Sequence, residues 1–376
     1  MSRNAPLGFY EFFAGGGMAR LGLGEGWSCL YANDFDPVKA ATYRDNHPDA
    51  HDHFHEGDVW RVKPVALPGR ADLAWASSPC QDFSLAGARA GLEGGRSSAF
   101  FGFWTLMEAL NAEGRAPRTI VIENVVGLLT SNGGKDFEAL CRALSDQGYR
   151  FGALEIDAAR FTPQSRPRVF VVATKAEPPA NLIARGAFHT RAVVEAEHGL
   201  PQHLRDQWVW WRLPAPPARN THLDAMLEPD DAVAWREPAE TGRLLGLMTP
   251  AHLARLEQAG NTGRAIGTVF RRMRAGSQRA EVRLDGIAGC LRTPRGGSSR
   301  QSVVVANHGA IRSRLLTPRE GARLMGLPDS YRLPKSDTSA FHVIGDGVAV
   351  PVVRWLASQL LEPLLAEGSG AALAAE

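Results

Sequence analysis

The sequence predicts an α/β protein, a mostly parallel sheet flanked by helices, joined to a smaller and more irregular domain. Three observations carry this. Short apolar runs alternate with helically spaced segments over the first 175 residues, the pattern of strands and crossover helices in a parallel sheet. The first run leads straight into Ala14-Gly15-Gly16-Gly17, a strand-to-helix turn of the kind at which such sheets bind ligands. From about residue 176 the texture changes to scattered Pro, Gly and Trp with weak periodicity.

In chain order, strands are expected over 7–13, 28–32, 71–77, 119–122 and 168–174, with helices over 101–110 and 137–144. Glu177-Pro178-Pro179 opens the irregular region, which runs through Trp208-Val209-Trp210-Trp211 to about Ser336. Strong patterning returns at Ile344-Gly345-Asp346-Gly347 and continues as an apolar helix through Leu365. The expected organisation is a domain of residues 1–175 with 338–365, a second domain over 176–337, and a flexible Gly/Ala-rich tail over 366–376.

Composition fits a globular protein, with 44% hydrophobic and 22% charged residues in a chain of 376. No apolar run approaches the roughly 20 residues of a membrane span, and no signal-peptide pattern opens the chain. Cys29, Cys80, Cys141 and Cys290 lie far apart with no CxxC pair, so neither a metal site nor a disulfide framework is expected, and a cytoplasmic location is. The net charge of +2 says little, but its distribution says more. Residues 264–300 hold nine Arg against only Glu281 and Asp285. Positive charge gathered in one segment is what a phosphate-binding surface needs.

Gly15 and Gly17 permit close approach of a ligand to the backbone. Arg20 stands where the third glycine of a dinucleotide fingerprint belongs. Asp34 is placed to accept hydrogen bonds from ribose hydroxyls and Asp58 to meet an adenine amino group; alternatively, these are a tight turn and two solvent-facing acids. Cys80, in Ser78-Pro79-Cys80-Gln81, follows a strand, and as a thiolate it would be a nucleophile rather than a buried small hydrophobe. Glu123-Asn124-Val125 closes another strand, with Glu123 either a proton donor or hydrogen-bond partner to a substrate ring, or a helix cap. Gln164-Ser165-Arg166-Pro167-Arg168 places two Arg side chains near a neighbouring carboxylate, for catalysis or as a structural salt bridge.

Taken together, Phe13-Ala14-Gly15-Gly16-Gly17, Pro79-Cys80-Gln81, Glu123-Asn124-Val125 and Gln164-x-Arg166-x-Arg168 resemble the DNA (cytosine-5) methyltransferases. Leu316-Thr317-Pro318-Arg319-Glu320, Gly326-Leu327-Pro328-Asp329 and Gly345-Asp346-Gly347-Val348 continue the resemblance in family order. It implies a Rossmann-like methyltransferase domain, with 176–337 as the target-recognition domain. It further implies a bacterial, sequence-specific enzyme that transfers a methyl group from S-adenosyl-L-methionine to C5 of a flipped cytosine, leaving S-adenosyl-L-homocysteine. Cys80 would add to C6, Glu123 would engage N3 and the exocyclic amine, Arg168 would contact O2 and orient Glu123, and Arg166 would support the network. Cofactor contacts would come from Phe13, Gly15, Gly17, Asp34, Phe35, Asp58, Val59, Pro79, Asp346 and Val348, with no metal. Double-stranded DNA would be held by Gln81, Ser84, Arg271, Arg272, Arg274, Arg292, Arg295 and Arg300, with 82–98 as a closing lid.

Three positions depart from the family pattern: Glu11 replaces Asp before the glycine turn, Asp34 replaces Glu, and Asp346 replaces Asn. None removes a reacting group. The expected protein is a monomer, either the modification partner of a separately acting restriction endonuclease or a solitary methyltransferase. Three other readings stand beside it. Methylation of tRNA by the same fold lacks its Cys-Phe-Thr signature, a silent DNA-binding relative would not need Cys80 and Glu123, and a nicotinamide oxidoreductase rests on the glycine turn alone.

Overall fold

A computed structural model describes residues 5–78, 99–274, 276–293 and 300–366. The chain divides into two compact units. The first comprises Met1–Ile156, Pro167–Pro216 and Val352–Glu376, and the second Asp157–Arg166 and Pro217–Pro351.

A seven-stranded sheet forms the first unit: β1 (Leu7–Phe12), β2 (Trp27–Asp34), β3 (Phe54–Glu56), β4 (Leu73–Ala76), β5 (Thr119–Val125), β6 (Arg150–Asp157) and β7 (Pro167–Thr174). Their order is β3-β2-β1-β4-β5-β7-β6. Pairing is parallel from β3 through β5, and β7 runs antiparallel to β5. All five strands expected from apolar runs are present. β6 was hidden by its sequence, RFGALEID, in which charged and small residues interrupt the apolar ones. Gly152 in that strand has no room for a side chain, because a Cβ there would stand 1.8 Å from the Val209 carbonyl oxygen.

The helix Ala99–Ala112 buries Phe100, Phe103, Trp104, Met107 and Leu110 in the same apolar cluster as Tyr10, Phe12, Ile120 and Ile122 of the sheet. Phe103 meets Phe12 edge-on at 4.9 Å between ring centres. Each such buried side chain contributes roughly 1.5–3 kcal/mol, so this face anchors β1, β4 and β5 and their carboxyl ends. Trp211 also belongs to this unit, donating its indole N–H to the Val172 carbonyl of β7 at 2.9 Å.

The second unit carries a four-stranded antiparallel sheet of β8 (Ala265–Arg274), β9 (Ser277–Arg283), β10 (Ser302–Asn307) and β11 (Ala310–Leu315), ordered β11-β10-β8-β9. Leu256 of the helix Pro250–Asn261 packs with Val269, Ala280, Val282 and Val304. Thr317 caps the helix Pro318–Leu324 in a capping box with Glu320. Glu320 is fully buried and takes a two-pronged ion pair from Arg314 at 2.8 and 2.6 Å. The Leu-Thr-Pro-Arg-Glu motif is therefore a structural knot, and removing one partner would strand a buried charge at a cost of about 3–5 kcal/mol. Among the described residues one stretch, Asp337–Ala366, is long and apolar enough to cross a membrane by composition, but 61% of its apolar 18-residue window is buried within the protein, as in a core helix.

Candidate active site

The chain lays down β1, β2 and β3 outward, then returns to place β4 on the other side of β1. That reversal opens a crevice at the carboxyl ends of β1 and β4, where open α/β sheets bind ligands. The glycine turn stands at the end of β1. Phe13, Gly15 and Gly17 adopt φ of 57°, 56° and 77°, the left-handed region that costs a side-chain-bearing residue energy. The turn is fastened from Ala14 N–H to the Asn33 carbonyl at 2.9 Å and from Gly17 N–H to the Ala14 carbonyl at 2.8 Å. The two glycines serve different needs. A Cβ on Gly17 would fall 2.1 Å from His47 Nε2, whereas among the described residues one on Gly15 would meet nothing within 4 Å. Gly17 admits the protein's own packing, and Gly15 leaves open space.

Asp34 closes β2 with its carboxylate already in use. Oδ2 accepts from Gly15 N–H at 2.8 Å and Oδ1 from Asp36 N–H at 2.9 Å. Burial pushes its pKa up, against the pull of Lys39 and the two amides. Each oxygen keeps a second lone pair for a hydroxyl donor. Next to it Phe35 leaves 66% of its surface exposed. Asp58 caps the short turn Val59–Arg61 by accepting from Trp60 N–H at 3.0 Å. Val59 itself is buried in the core. Open space at Gly15, a bare phenyl ring and two acids at this edge of the sheet fit an adenine nucleoside with an attached amino acid.

Glu123 and Arg168 are brought together by the antiparallel register of β5 and β7, in which Val125 faces Arg168 and Glu123 faces Phe170. Arg168 Nε stands 3.1 Å from Glu123 Oε1, and both side chains are largely buried. Among the described residues, Arg168 is the side chain that holds Glu123. Asn124 of the same motif ties two strand ends together. Its amide donates to the Ser78 carbonyl at 3.0 Å, and its oxygen accepts from Val125 N–H at 2.8 Å. It ties β5 to the residue that immediately precedes Pro79 and Cys80. Pro79, Cys80, Gln81, Ser84 and Arg295, together with the expected lid, lie outside the described residues.

In the second unit, Arg166 is nearly inaccessible, and its guanidinium meets the Cys290 sulfur at 3.5 Å and several backbone carbonyls. It donates to the carbonyls of Leu291 at 3.0 Å, Gly345 at 2.7 Å and Gly347 at 2.6 Å. Arg166 therefore clamps the turn that carries Asp346 and Val348. Asp346 accepts from the Thr293 hydroxyl, and Val348 is buried. Gly345 lets the Thr293 backbone pass, since a Cβ there would stand 2.6 Å from Thr293 N.

Arg271, Arg272 and Arg274 project from the exposed outer half of β8. Arg272 stacks on Phe270 at 4.6 Å, Arg274 pairs with Glu281 at 3.1 Å, and Arg271 donates to Gln278 at 3.4 Å. Arg279 joins them directly across from Arg272; a lone Arg in an unpatterned stretch gave no reason to single it out. Arg292 is exposed, and Arg300 pairs with Asp337 at 2.5 Å.

Comparison with known proteins follows the same outline. A family profile described as C-5 cytosine-specific DNA methylase matches residues 7–362. The Type II methyltransferase M.HpaII of Haemophilus parainfluenzae is 28% identical, over 95% of this chain and 89% of that protein. M.HhaI of Haemophilus parahaemolyticus is 25% identical over 93% of each. Among solved structures, the Entamoeba histolytica methyltransferase EhMeth superposes with a TM-score of 0.64 at 12% identity, over 96% of this chain and 99% of that one. The S. pombe Dnmt2 methyltransferase gives 0.59 at 19% identity, over 95% and 99%.

Proposed function

The chain belongs to the C-5 cytosine-specific DNA methylases, and from that premise we propose that it methylates one short DNA sequence at cytosine C5 through a covalent Cys80 adduct. The observation that carries this is the Glu123–Arg168 pair at 3.1 Å, with Glu123 on β5 beside β4, the strand that precedes Pro79-Cys80 in the sequence. Phe13, Gly15, Gly17, Asp34, Phe35, Asp58 and the Val59 backbone would hold S-adenosyl-L-methionine. When bound, that cofactor supplies an electrophilic methyl group.

The chain's own residues do the rest. A base inside a duplex is out of reach, so the cytosine is flipped out at a cost of a few kcal/mol. Glu123 holds N3 and the exocyclic amine, which stabilises charge on the ring, and Arg168 keeps Glu123 oriented while meeting O2. Addition of the Cys80 thiolate to C6 raises electron density at C5, a carbon otherwise too poor a nucleophile to accept a methyl group. Loss of the C5 proton and expulsion of Cys80 release 5-methylcytosine. Asn124 positions the strand end before Cys80, and Arg166 holds the Gly345–Gly347 turn.

DNA affinity would come from Gln81, Ser84 and the arginines Arg271, Arg272, Arg274, Arg292, Arg295 and Arg300, mostly through phosphates, with two or three reading bases. A Type II relative implies a restriction–modification setting, with a bacterial cytoplasm as its place and a separate endonuclease as its counterpart. The mechanism is tested with duplexes carrying 5-fluorocytosine, whose C5 fluorine cannot leave as a proton does. The wild-type chain should become covalently attached to such DNA in the presence of cofactor, and Cys80→Ser should not. Turnover of natural DNA without any trapped species would contradict the adduct.

A further inference from the structure

The β8–β9 hairpin outruns the sheet that carries it. Among the described residues, β10 pairs with β8 from Ala265 to Val269 and no further, and Ala280 of β9 is bridged to Met248. Beyond those points Phe270–Arg274 and Ser277–Arg279 pair with each other. The outer half is thus a two-stranded ribbon, with residues 271–274 and 277–279 all exposed. Residues 270–281 hold four Arg against one acid, Glu281. A two-stranded ribbon fits the roughly 12 Å major groove of DNA, and this one's charge complements the phosphates along that groove.

The two faces of the ribbon differ. Side chains alternate along a strand, so the register puts Arg272, Arg274 and Arg279 on one face, together with Phe270 and Glu281. Guanidinium groups gathered like this suit phosphates, which carry no sequence information. The other face continues outward from the core, from Val269, Ala280 and Val282 to Arg271, Met273 and Gln278. Met273 leaves 64% of its surface exposed. Gln278 stands directly opposite it on β9, which sets their Cβ atoms about 4.5–5.5 Å apart. Arg271 donates to Gln278 Oε1 at 3.4 Å, so the Gln278 amide nitrogen is left to donate outward. An amide donor beside a soft apolar group matches one base edge. In the major groove thymine offers its O4 acceptor next to the C5-methyl group, whereas cytosine offers an amino donor and neither purine has a methyl group.

We propose that Met273 and Gln278 are a thymine-reading pair: Gln278 Nε2 donates to O4, Met273 packs on the C5-methyl group, and the methylated sequence contains the thymine they touch. Arg271 holds the Gln278 amide in the sense this needs, and the arginines of the opposite face reach phosphates. This rests on the DNA-methylating reading above and names residues that select part of its sequence.

The test uses the full chain, S-adenosylmethionine and duplexes bearing the sequence the chain methylates. Each thymine of that sequence, on either strand, is replaced in turn by uracil, which removes the methyl group alone. At one thymine the wild-type kcat/KM should fall about tenfold, the lower end of what one apolar carbon contributes to discrimination. Met273→Ala should be slower by a similar factor on the thymine duplex and lose nothing further with uracil. Gln278→Ala should discriminate about tenfold less than wild type against a C·G pair at that position. Both side chains are exposed, so neither variant should disturb folding. A methylated sequence without thymine overturns the proposal, as does a uracil penalty that persists undiminished in Met273→Ala or an unchanged preference in Gln278→Ala. If wild type methylates no DNA, the underlying reading has failed, a different result from methylation that ignores the thymine methyl group.

Discussion

The glycine turn and the β8–β9 hairpin handle charge in opposite ways. Around the turn, Asp34 is pinned by two backbone amides, Arg20 is shared among Asp49, His53 and Tyr43, and Glu11 is sealed from water. On the hairpin, Arg271, Arg272 and Arg274 stand exposed, with Gln278 and Glu281 on the neighbouring strand and Phe270 on their own as partners. Buried charge is felt through one geometry and one protonation state. Exposed charge is screened and nearly interchangeable, since surface ion pairs contribute about 0–1 kcal/mol. Substitutions in the first unit should therefore act singly and steeply, and those on the hairpin should act weakly and add.

The largest effect is expected at Cys80. Cys80→Ala should abolish methyl transfer while cofactor affinity, followed by calorimetry, stays within a few-fold of wild type. Loss of both would break the separation between base pocket and cofactor turn. Glu123→Gln comes next, because it removes the charge that Arg168 orients. Turnover should fall about 100-fold or more, the range for a positioned acid–base group, and a near-normal rate would remove Glu123 from the chemistry.

Glu11 provides a stability prediction of defined sign. Its folded pKa is raised from an ordinary 4.5 to about 8, so the folded state binds more protons than the unfolded state across that window. Stability should fall as pH rises from about 4.5 to about 8, then level off, and Glu11→Gln should lack that decline. Urea midpoints of the two proteins at pH 5 and pH 8.5 check this, and parallel curves would contradict it.

The smallest single effects belong to the hairpin. Each of Arg271→Ala, Arg272→Ala and Arg279→Ala should weaken DNA binding only a few-fold and lower the salt-dependence slope by about one. Binding that does not change between about 50 and 200 mM salt would remove the electrostatic part of the account. A variant that changes the methylated sequence rather than the affinity would mark a base-reading arginine.

The same contrast governs what the sequence made legible. Glu123 and the glycine turn were readable because chemistry at strand ends leaves short, ordered motifs, and the apolar runs of β1, β4 and β5 announce where those ends fall. Arg166 was readable as a residue but not as a clamp, since its partners are carbonyls 125 to 181 residues away that carry no side-chain signal. Asn124 lay inside a recognised motif, yet its bond to Ser78 depends on β4 and β5 being neighbours. The sealing of Glu11 from water beside Arg20 follows from how neighbouring elements pack, which only the assembled fold determines. β8 and β9 carry no clear apolar alternation, because residues 271–274 and 277–279 are exposed and almost all polar.

The most direct test of the central claim is base-resolution 5-methylcytosine sequencing of DNA from methylation-free cells expressing this chain. The account predicts one short motif, methylated at its cytosine wherever it occurs, and unmodified DNA under Cys80→Ala. Unmodified DNA from cells holding soluble, cofactor-bound wild-type protein would contradict it.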